Sequence, residues 1–261
     1  MKIYQVDSFT ERPFSGNPAA VTITDTELND DLMQNIAAEM NLSETAFVHN
    51  KEDGCQLRWF TPTTEVELCG HATLAAAHIL WDEGYLAAEE DARFLTRSGL
   101  LTATKSDGVI MMDFPAEVEK EADAPGILLK SLDVEPAYVG RNRFDYLLEV
   151  TSEDIVRNID PNFSLMQKVD TRGVIVAAPS QSEKYDFVSR FFAPAVGVDE
   201  DPVTGSAHCC LGPYWSSKLG KEELVGYQAS DRGGFVTVKS KGNRVWLGGQ
   251  AVTVLQGHIH M

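Results

Sequence analysis

Two stretches of the sequence follow one pattern, and this repeat limits the possible folds more than any other feature. Residues 58–62, Arg-Trp-Phe-Thr-Pro, lead through an acidic loop to Gly70, which opens an apolar run. Residues 190–194, Arg-Phe-Phe-Ala-Pro, lead through a second acidic loop to Gly205, which opens another. Similar motifs in the same order predict an internal duplication, and hence two similar lobes.

Each repeat ends where a helix is predicted to begin. The first backbone N–H groups of a helix have no partner within it, and the helix dipole places partial positive charge there. Either Gly70 or Gly205 alone would be interpreted as the plain start of a buried helix. As a pair, they favour a site that holds a carboxylate or an enolate oxygen, because glycine lets a ligand approach the backbone closely.

The net charge of the chain limits the kinds of molecules that it is expected to bind. The chain has 22 Lys and Arg residues against 39 Asp and Glu residues, which gives a net charge of −17. Such a field repels nucleic acid and anionic lipid surfaces, so we expect neither as a partner. The sequence shows no apolar run long enough to span a bilayer, and its start lacks the apolar core of a secretory signal. We therefore expect a cytoplasmic protein.

Apolar periodicity and turn residues divide the chain into many short strands and few helices. Strands are predicted at residues 2–8, 19–23, 42–48, 55–60, 92–97, 99–105, 108–114, 143–150, 172–178, 186–193, 234–240, 243–248 and 250–256. Helices are predicted from Asp30 to Asn41, from Gly70 to near Gly84, from a Thr151 or Ser152 cap to Ile159, from Asn162 or Ser164 to Val169, and from about Ser206 to Leu219. In the last helix, Gly212-Pro213 should produce a kink or an early end.

These elements indicate the α+β class, with two sheet-rich lobes that each wrap around a central helix. The acidic stretch 117–125 is the best candidate for the boundary, and Pro115 breaks the strand pattern just before it. We therefore place the lobes at residues 1–117 and 118–261. A strand near residues 250–261 is allowed to cross back to the first lobe.

A carboxylate stands near the start of the predicted strand Leu42-Ser43-Glu44-Thr45-Ala46-Phe47-Val48. Strand alternation places Glu44 on the same face as Ala46 and Val48. An acidic residue on an apolar face is commonly exposed at a rim. Partial burial would instead raise its pKa and suit it to moving protons, which makes Glu44 the candidate general acid–base.

Polar residues near the two helix starts complete the candidate site. His71 and Ser206 can donate to substrate oxygens, and Asp201 can accept from a substrate group or orient His71. The plain alternatives are helix capping for His71 and Ser206 and a loop role for Asp201. Asn17 is expected to shape a turn near the site and to bind the substrate. Arg232 lies in a predicted tight turn, where it is an alternative carboxylate ligand.

The sequence lacks the motifs of several common enzyme classes. It contains no nucleotide-binding glycine loop, no serine-hydrolase elbow and no H-E-x-x-H zinc motif. No C-x-x-C occurs among its four cysteines. We therefore expect neither a cofactor nor a metal ion, and proton transfer by side chains is the simplest chemistry.

The sequence contains the stretches VDSFTERPFSGNPAAV, NLSETAFV, LRWFTPTTEVELCGHATLAAA, RFFAPAVGVDEDPVTGSAH and YQASDRGG. Together they resemble the phenazine-biosynthesis PhzF-like family, a branch of the diaminopimelate epimerase-like fold. The resemblance covers nearly the whole chain. It implies two lobes, each with a β-barrel-like sheet around a central helix, and an active site in the cleft between them.

The same resemblance implies a homodimeric isomerase that needs no cofactor. Such an enzyme moves a proton within a small carboxylic acid, cyclic or amino-acid-like. By motif, the acid–base of the family falls on Glu44, and substrate-binding or assisting positions fall on His71, Asp201 and Ser206.

The fold also hosts racemases that use two cysteines, and the repeat tests this alternative. Cys69 aligns with Thr204, so the second thiol position carries a hydroxyl, which is a very poor base. Cys209 and Cys210 lie more than one helical turn further on. We therefore reject a two-thiol racemase. Cys69 is expected to be a small buried residue, with an acid–base role as the alternative.

Three functions stay open at this point. The first is the isomerase with Glu44 as its acid–base. The second is a non-catalytic protein that binds a small metabolite or a partner on the same fold. The third is an epimerase for a different substrate that uses Glu44 with one other group.

Overall fold

The computed structural model describes residues 1–51 and 54–260. The chain divides into two compact units, one formed by Met1–Asp113 with Gly248–Met261 and the other by Phe114–Leu247. The acidic stretch 117–125, suggested as the boundary, lies within the second unit. There Glu121 pairs with Gly140 in a short antiparallel ladder.

Strands dominate both units. The strands are β1 (Lys2–Ser8), β2 (Asn17–Thr24), β3 (Glu44–Lys51), β4 (Gly54–Phe60), β5 (Glu65–Val66), β6 (Ala92–Thr96), β7 (Gly99–Ser106), β8 (Val109–Pro115), β9 (Lys120–Glu121), β10 (Tyr138–Arg141), β11 (Asp145–Glu149), β12 (Gly173–Pro179), β13 (Phe187–Ala193), β14 (Val198–Glu200), β15 (Glu223–Gln228), β16 (Gly234–Lys241), β17 (Arg244–Gly249) and β18 (Ala251–His258). The helices are α1 (Asp30–Met40), α2 (Gly70–Asp82), α3 (Gly126–Leu132), α4 (Glu153–Asn158), α5 (Phe163–Met166) and α6 (Gly205–Leu219), with a 3₁₀ turn at Pro194–Val196.

The two units build their sheets in the same order. In the first unit, β2 runs parallel to β3, β3 antiparallel to β4, β4 parallel to β6, and β6 antiparallel to β7. In the second unit, β11, β12, β13, β15 and β16 repeat these four relations in turn. The shared order confirms the α+β class with an internal duplication.

The repeated Arg-x-Phe motif forms the same structure in each unit. Arg58 donates from Nε and Nη2 to the carboxylate of Glu65, both at 2.7 Å. Arg190 makes the same pair of bonds to Glu200, at 2.7 and 2.8 Å. Each guanidinium also lies over the phenylalanine ring two residues further on, at 5.2 and 4.8 Å. Because such bidentate pairs fix both partners, the motif anchors the acidic loop that precedes each central helix.

The central helices begin at the predicted glycines and are largely buried. Ten of the thirteen residues of α2 and nine of the fifteen residues of α6 are buried. Both N-caps, Cys69 and Thr204, have extended backbones. Within the described ranges, no helix combines the length and the apolar character needed to cross a membrane.

Helix α6 is not shortened at Gly212-Pro213, so that part of the prediction is wrong. Proline cannot donate to the carbonyl four residues earlier, which here belongs to Cys209. The backbone N–H of Glu117 donates to that carbonyl instead, at 3.0 Å. Gly212 allows close packing, since a Cβ there would lie 2.5 Å from Cγ1 of Val238.

Several other elements differ from the prediction. Helix α5 ends at Met166, before the predicted Val169, although Asn162 caps it as expected by accepting from Leu165 N. The elements absent from the prediction are β5, β9, β10, β14, β15 and α3. Most are short, and α3 follows Pro125 without a side-chain cap, so local signals for them are weak.

Candidate active site

Glu44 is the first residue of β3, a strand with neighbours on both sides. It lies in register with Ala19 of β2, and the next residue, Thr45, lies in register with Phe60 of β4. The Glu44 side chain is 19% exposed. The carboxylate therefore projects from an interior strand and is largely withdrawn from solvent.

A buried histidine and a buried cysteine lie next to this carboxylate. His71 belongs to the first turn of α2, and its Nε2 lies 3.2 Å from Oε2 of Glu44 and 3.3 Å from Oγ of Ser43. Its Nδ1 lies 3.5 Å from Sγ of Cys69. The imidazole thus connects the carboxylate on one side with the thiol on the other.

The charges of Glu44 and His71 stabilise each other. Burial raises the pKa of Glu44, but hydrogen bonding and the charge of His71 outweigh it, and this pKa is lowered overall. Burial lowers the pKa of His71, but the neighbouring Cys69 and Glu44 outweigh it, and this pKa lies well above 6.5. The predicted rise in the pKa of Glu44 is therefore wrong, because a cation lies within contact distance.

The thiol of Cys69 stays protonated at neutral pH. Burial and the negative charge of Glu44 raise its pKa above the ordinary thiol value of 9.0. A neutral thiol is a weak nucleophile and a weak base. The resting site therefore holds a carboxylate, an imidazolium and a thiol.

Oε2 of the Glu44 carboxylate is buried, and it lies 3.2 Å from Nε2 of His71 in an ion-pair contact. The angles of this contact are not those of a good hydrogen bond, so the ion pair leaves Oε2 able to accept from a bound molecule.

Further hydrogen bonds hold the residues around Glu44 and His71 in place. Ser8 donates from Oγ to the backbone carbonyl of His71 at 2.8 Å. Ser43 contacts His71 and also donates to Oδ1 of Asn17 at 3.4 Å. The predicted residue Asn17 is fully buried, and through Ser43 it belongs to the same cluster as Glu44.

Glu44, Cys69 and His71 are also the residues that could hold a metal ion, since their ligand atoms lie within 4.8 Å of one another. The ring nitrogens of His71, however, are divided between the other two ligands, Nδ1 toward the thiol and Nε2 toward the carboxylate. A metal ion bound by these groups would take one nitrogen of His71 and would replace the present contacts among the three side chains.

In the second unit, Asp201 lies at the start of α6 within a different network. Its Oδ2 accepts from Oγ1 of Thr204 at 2.5 Å, and its backbone carbonyl accepts from Nε2 of Gln228 at 2.7 Å. Oε1 of Gln228 accepts from the backbone N–H of Thr204 at 2.9 Å. Gln228 is fully buried, and it fixes the loop that carries Asp201 against the helix start.

The remaining predicted residues lie at the same two helix starts or close to the second. Gly70 and Gly205 are the first residues of α2 and α6. Ser206 is the second residue of α6 and partly buried, and because Thr204 is the N-cap, the interpretation of Ser206 as an N-cap is wrong. Arg232 is partly buried in the bend before β16.

Two residues of these clusters were missed by sequence reasoning. Ser43 directly precedes Glu44, and Gln228 lies within the stretch YQASDRGG. Both are uncharged, and neither follows a spacing rule that marks a site. Their roles arise from pairing between segments far apart in the chain, as in the bonds from Gln228 to Asp201 and Thr204.

Comparison with known proteins shows to which family the chain belongs. The sequence pattern of phenazine biosynthesis-like proteins, PhzC-PhzF, matches residues 6–257. The chain belongs to the PhzF family. This PhzF-family chain is 57% identical over 258 residues to an uncharacterized isomerase of Halalkalibacterium halodurans, covering 98% of the chain and 97% of that relative.

Solved structures agree with the family assignment. A PhzF-family phenazine biosynthesis protein of Enterococcus faecalis has 42% identity to this PhzF-family chain and a TM-score of 0.95, covering 100% of this chain and 99% of that one. A hydroxyproline epimerase of Agrobacterium vitis has 11% identity and a TM-score of 0.63, covering 98% of this chain and 91% of that one. The second likeness concerns the fold alone, and it places the PhzF fold among the epimerase-like folds.

Proposed function

We propose that this chain is a cofactor-independent isomerase that moves a proton within a small carboxylic acid, with Glu44 as general acid–base. The observation that carries the proposal is the buried Glu44–His71 pair at the start of α2, with its separation of 3.2 Å. The isomerase names of relatives such as that of Halalkalibacterium halodurans support the reaction class.

The lowered pKa makes Glu44 a weaker base but makes protonated Glu44 a stronger acid, so abstraction relies on stabilising the negative charge of the substrate. Glu44 is ionised at rest, because the imidazolium of His71 lowers its pKa. Once Glu44 has accepted a proton, the attraction to His71 is lost, so the proton is held weakly. A strong carboxylic acid returns a proton quickly to a carbon that bears delocalised negative charge.

The helix starts supply the complementary part of the chemistry. Abstraction next to a carboxylate or across a conjugated system leaves negative charge on the substrate, which backbone N–H groups at a helix start stabilise. We assign this role to Gly70 and Gly205. Ser206 is assigned as a donor to the substrate and Asp201 as an acceptor, while Asn17 supports the first cluster.

The test is deuterium incorporation measured by NMR in heavy water. The purified protein is incubated with dihydro-hydroxyanthranilate and with a panel of small cyclic and amino acids. The proposal expects exchange or isomerisation with at least one compound, and its loss in Glu44→Gln. Glu39→Gln, which changes an exposed glutamate of α1, is the matched control and should retain full activity.

Two outcomes would favour the other functions. A compound that binds without any exchange would support a non-catalytic binding protein on the same fold. Inversion of one stereocentre, with no movement of a double bond, would support an epimerase. The homodimer and the cytoplasmic location stay predictions, and analytical ultracentrifugation tests the first of them.

A further inference from the structure

Cys69 is an unusual residue for the N-cap of a helix. N-cap side chains are typically Ser, Thr, Asp or Asn, whose oxygen accepts a backbone N–H. Cys69 has the extended backbone of an N-cap, with φ −144° and ψ 114°, but its side chain makes no capping hydrogen bond. Its sulfur instead lies 3.5 Å from Nδ1 of His71. The thiol therefore contacts the neighbouring ring and does not cap the helix.

The second unit uses the equivalent position in a similar way. Thr204 is the N-cap of α6 and likewise makes no side-chain capping bond. Its hydroxyl donates to Asp201 at 2.5 Å and lies 3.2 Å from the donor Nε2 of Gln228. In both units, the side chain at this position supports the polar cluster beside the helix start.

The orientation of the His71 ring depends on partners at both nitrogens. Rotating an imidazole by half a turn about χ2 exchanges each nitrogen with a ring carbon. Such a rotation would remove the contact to Cys69 at 3.5 Å and the contact to Glu44 at 3.2 Å. The bond from Ser8 to the carbonyl of His71 fixes the backbone but not the ring.

We propose that Cys69 is a positioning residue whose sulfur accepts the Nδ1–H of His71 and thereby holds Nε2–H toward Glu44. Its part in catalysis rests on the proposed function. The titratable groups that act on the ring are Glu44 on β3 and Cys69 at the start of α2. With an acceptor at each nitrogen, both ring protons are retained, and the positive charge beside Glu44 is kept.

The test observes the ring directly and needs no substrate. The protein is labelled with ¹⁵N, and the His71 signals are assigned among the six histidines with His71→Gln. Cys69→Ala and Cys69→Val remove the acceptor, and valine also fills the space of the sulfur. Cys69→Ser keeps an acceptor on a shorter bond. Cys209→Ala, a buried cysteine of the second unit, is the matched control.

In the wild type, both ring nitrogens should stay protonated to well above pH 6.5. Without the acceptor, the midpoint of the His71 titration should fall by about one to two pH units. Cys69→Ser should give an intermediate midpoint, and Cys209→Ala should leave it unchanged. Unchanged ¹⁵N shifts and an unchanged midpoint in either folded variant that lacks the acceptor would overturn the proposal. Absence of turnover with every compound would count against the isomerase alone.

Discussion

At the start of α2, a carboxylate, an imidazole and a thiol contact one another. At the start of α6, the carboxylate of Asp201 accepts from the hydroxyl of Thr204, and Nδ1 of the buried His208 lies 2.8 Å from the carbonyl of Thr204. Asp201 is also held by the amide of Gln228. The duplicated backbone therefore carries a contacting set of carboxylate, imidazole and thiol in one copy and a different hydrogen-bonded network in the other.

The strand register shows that the two units also differ at the position of Glu44. Thr45 and Val174 each pair with the phenylalanine of the Arg-x-Phe motif in their own unit. The preceding residues, Glu44 and Gly173, therefore occupy equivalent positions. A Cβ at Gly173 would lie 2.3 Å from the ring of Phe191, so a side chain there would displace the ring. The duplication thus leaves room for a glutamate in only one of the two equivalent positions.

The largest expected effect distinguishes Glu44 in the first unit from Asp201 in the second. Glu44→Gln should lower the rate of deuterium exchange by about 10²–10⁴-fold, as expected for loss of a general acid–base. Asp201→Asn should lower it by roughly tenfold, since in the proposed function Asp201 accepts from the substrate and its loss removes one binding contact. If the two substitutions lowered the exchange rate of one substrate equally, as measured by NMR, the two carboxylates would not differ in role.

The Glu44–His71 pair should contribute a pH dependence of its own. The lowered pKa of Glu44 gives stability that is present above the ordinary carboxyl value of 4.5 and is lost as the pH falls through the lowered value. The raised pKa of His71 gives stability that is complete below 6.5 and is lost as the pH rises through the raised value. The contribution of the pair is therefore complete between these two ordinary values.

Urea unfolding over a pH series, compared with His71→Asn, measures that contribution. The difference in the free energy of unfolding should be largest in the window from pH 4.5 to pH 6.5 and should decline on both sides. The exchange activity should be bell-shaped, since it needs ionised Glu44 and protonated His71. A difference that does not vary with pH would show that the pair is not charged.

Substitution of Gly173 by alanine tests whether this position of the second unit can accommodate a side chain. Gly173→Ala should lower the free energy of unfolding by about 1–3 kcal/mol, because the added methyl overpacks against the ring of Phe191. Gly126→Ala is the control, since a Cβ there meets no atom within 4 Å. Urea denaturation compares both variants. A neutral effect of Gly173→Ala would mean that the site can relax and that this position is not closed by packing.

The smallest effect concerns the arginines that the two units share. Arg58→Lys and Arg190→Lys each replace a bidentate pair by a single contact. Each arginine has one further partner at 2.7 Å, the exposed carboxylate of Asp30 for Arg58 and the backbone carbonyl of Ile159 for Arg190. Because an exposed ion pair contributes little, substitution of Arg190 should cost about 1 kcal/mol more. Thermal unfolding of the two variants checks this order. The reverse order would show that the anchoring of the first acidic loop is the stronger of the two.

Local sequence patterns were sufficient to predict the starts of the central helices, the end of α1 and the repeated motifs. The glycine starts of α2 and α6 and the Asn29–Asn41 helix region follow from neighbouring residues, and Asn41 ends α1 in the left-handed conformation. The motif order revealed the duplication. The sequence also indicated Glu44 and His71 as separate candidate residues of the site, although it assigned the wrong direction to the pKa of Glu44.

The other features depend on contacts between distant segments. The pKa of Glu44 is set by an imidazole that lies on another element, and no spacing rule gives a separation of 3.2 Å. Gln228 reaches Asp201 and Thr204 only because β15 is added to the sheet beside β13. The crowding at Gly173 likewise comes from a neighbouring strand.

The proline in α6 has a consequence for the order in which the second unit assembles. The carbonyl of Cys209 lacks its usual helical donor at Pro213 and accepts from the backbone of Glu117. Helix α6 therefore cannot satisfy its own backbone while it forms alone. Its middle turn is completed only when a segment synthesised much earlier docks onto it. That segment immediately follows β8, where the chain enters the second unit. The middle turn of α6 is therefore completed only after this entering segment has docked.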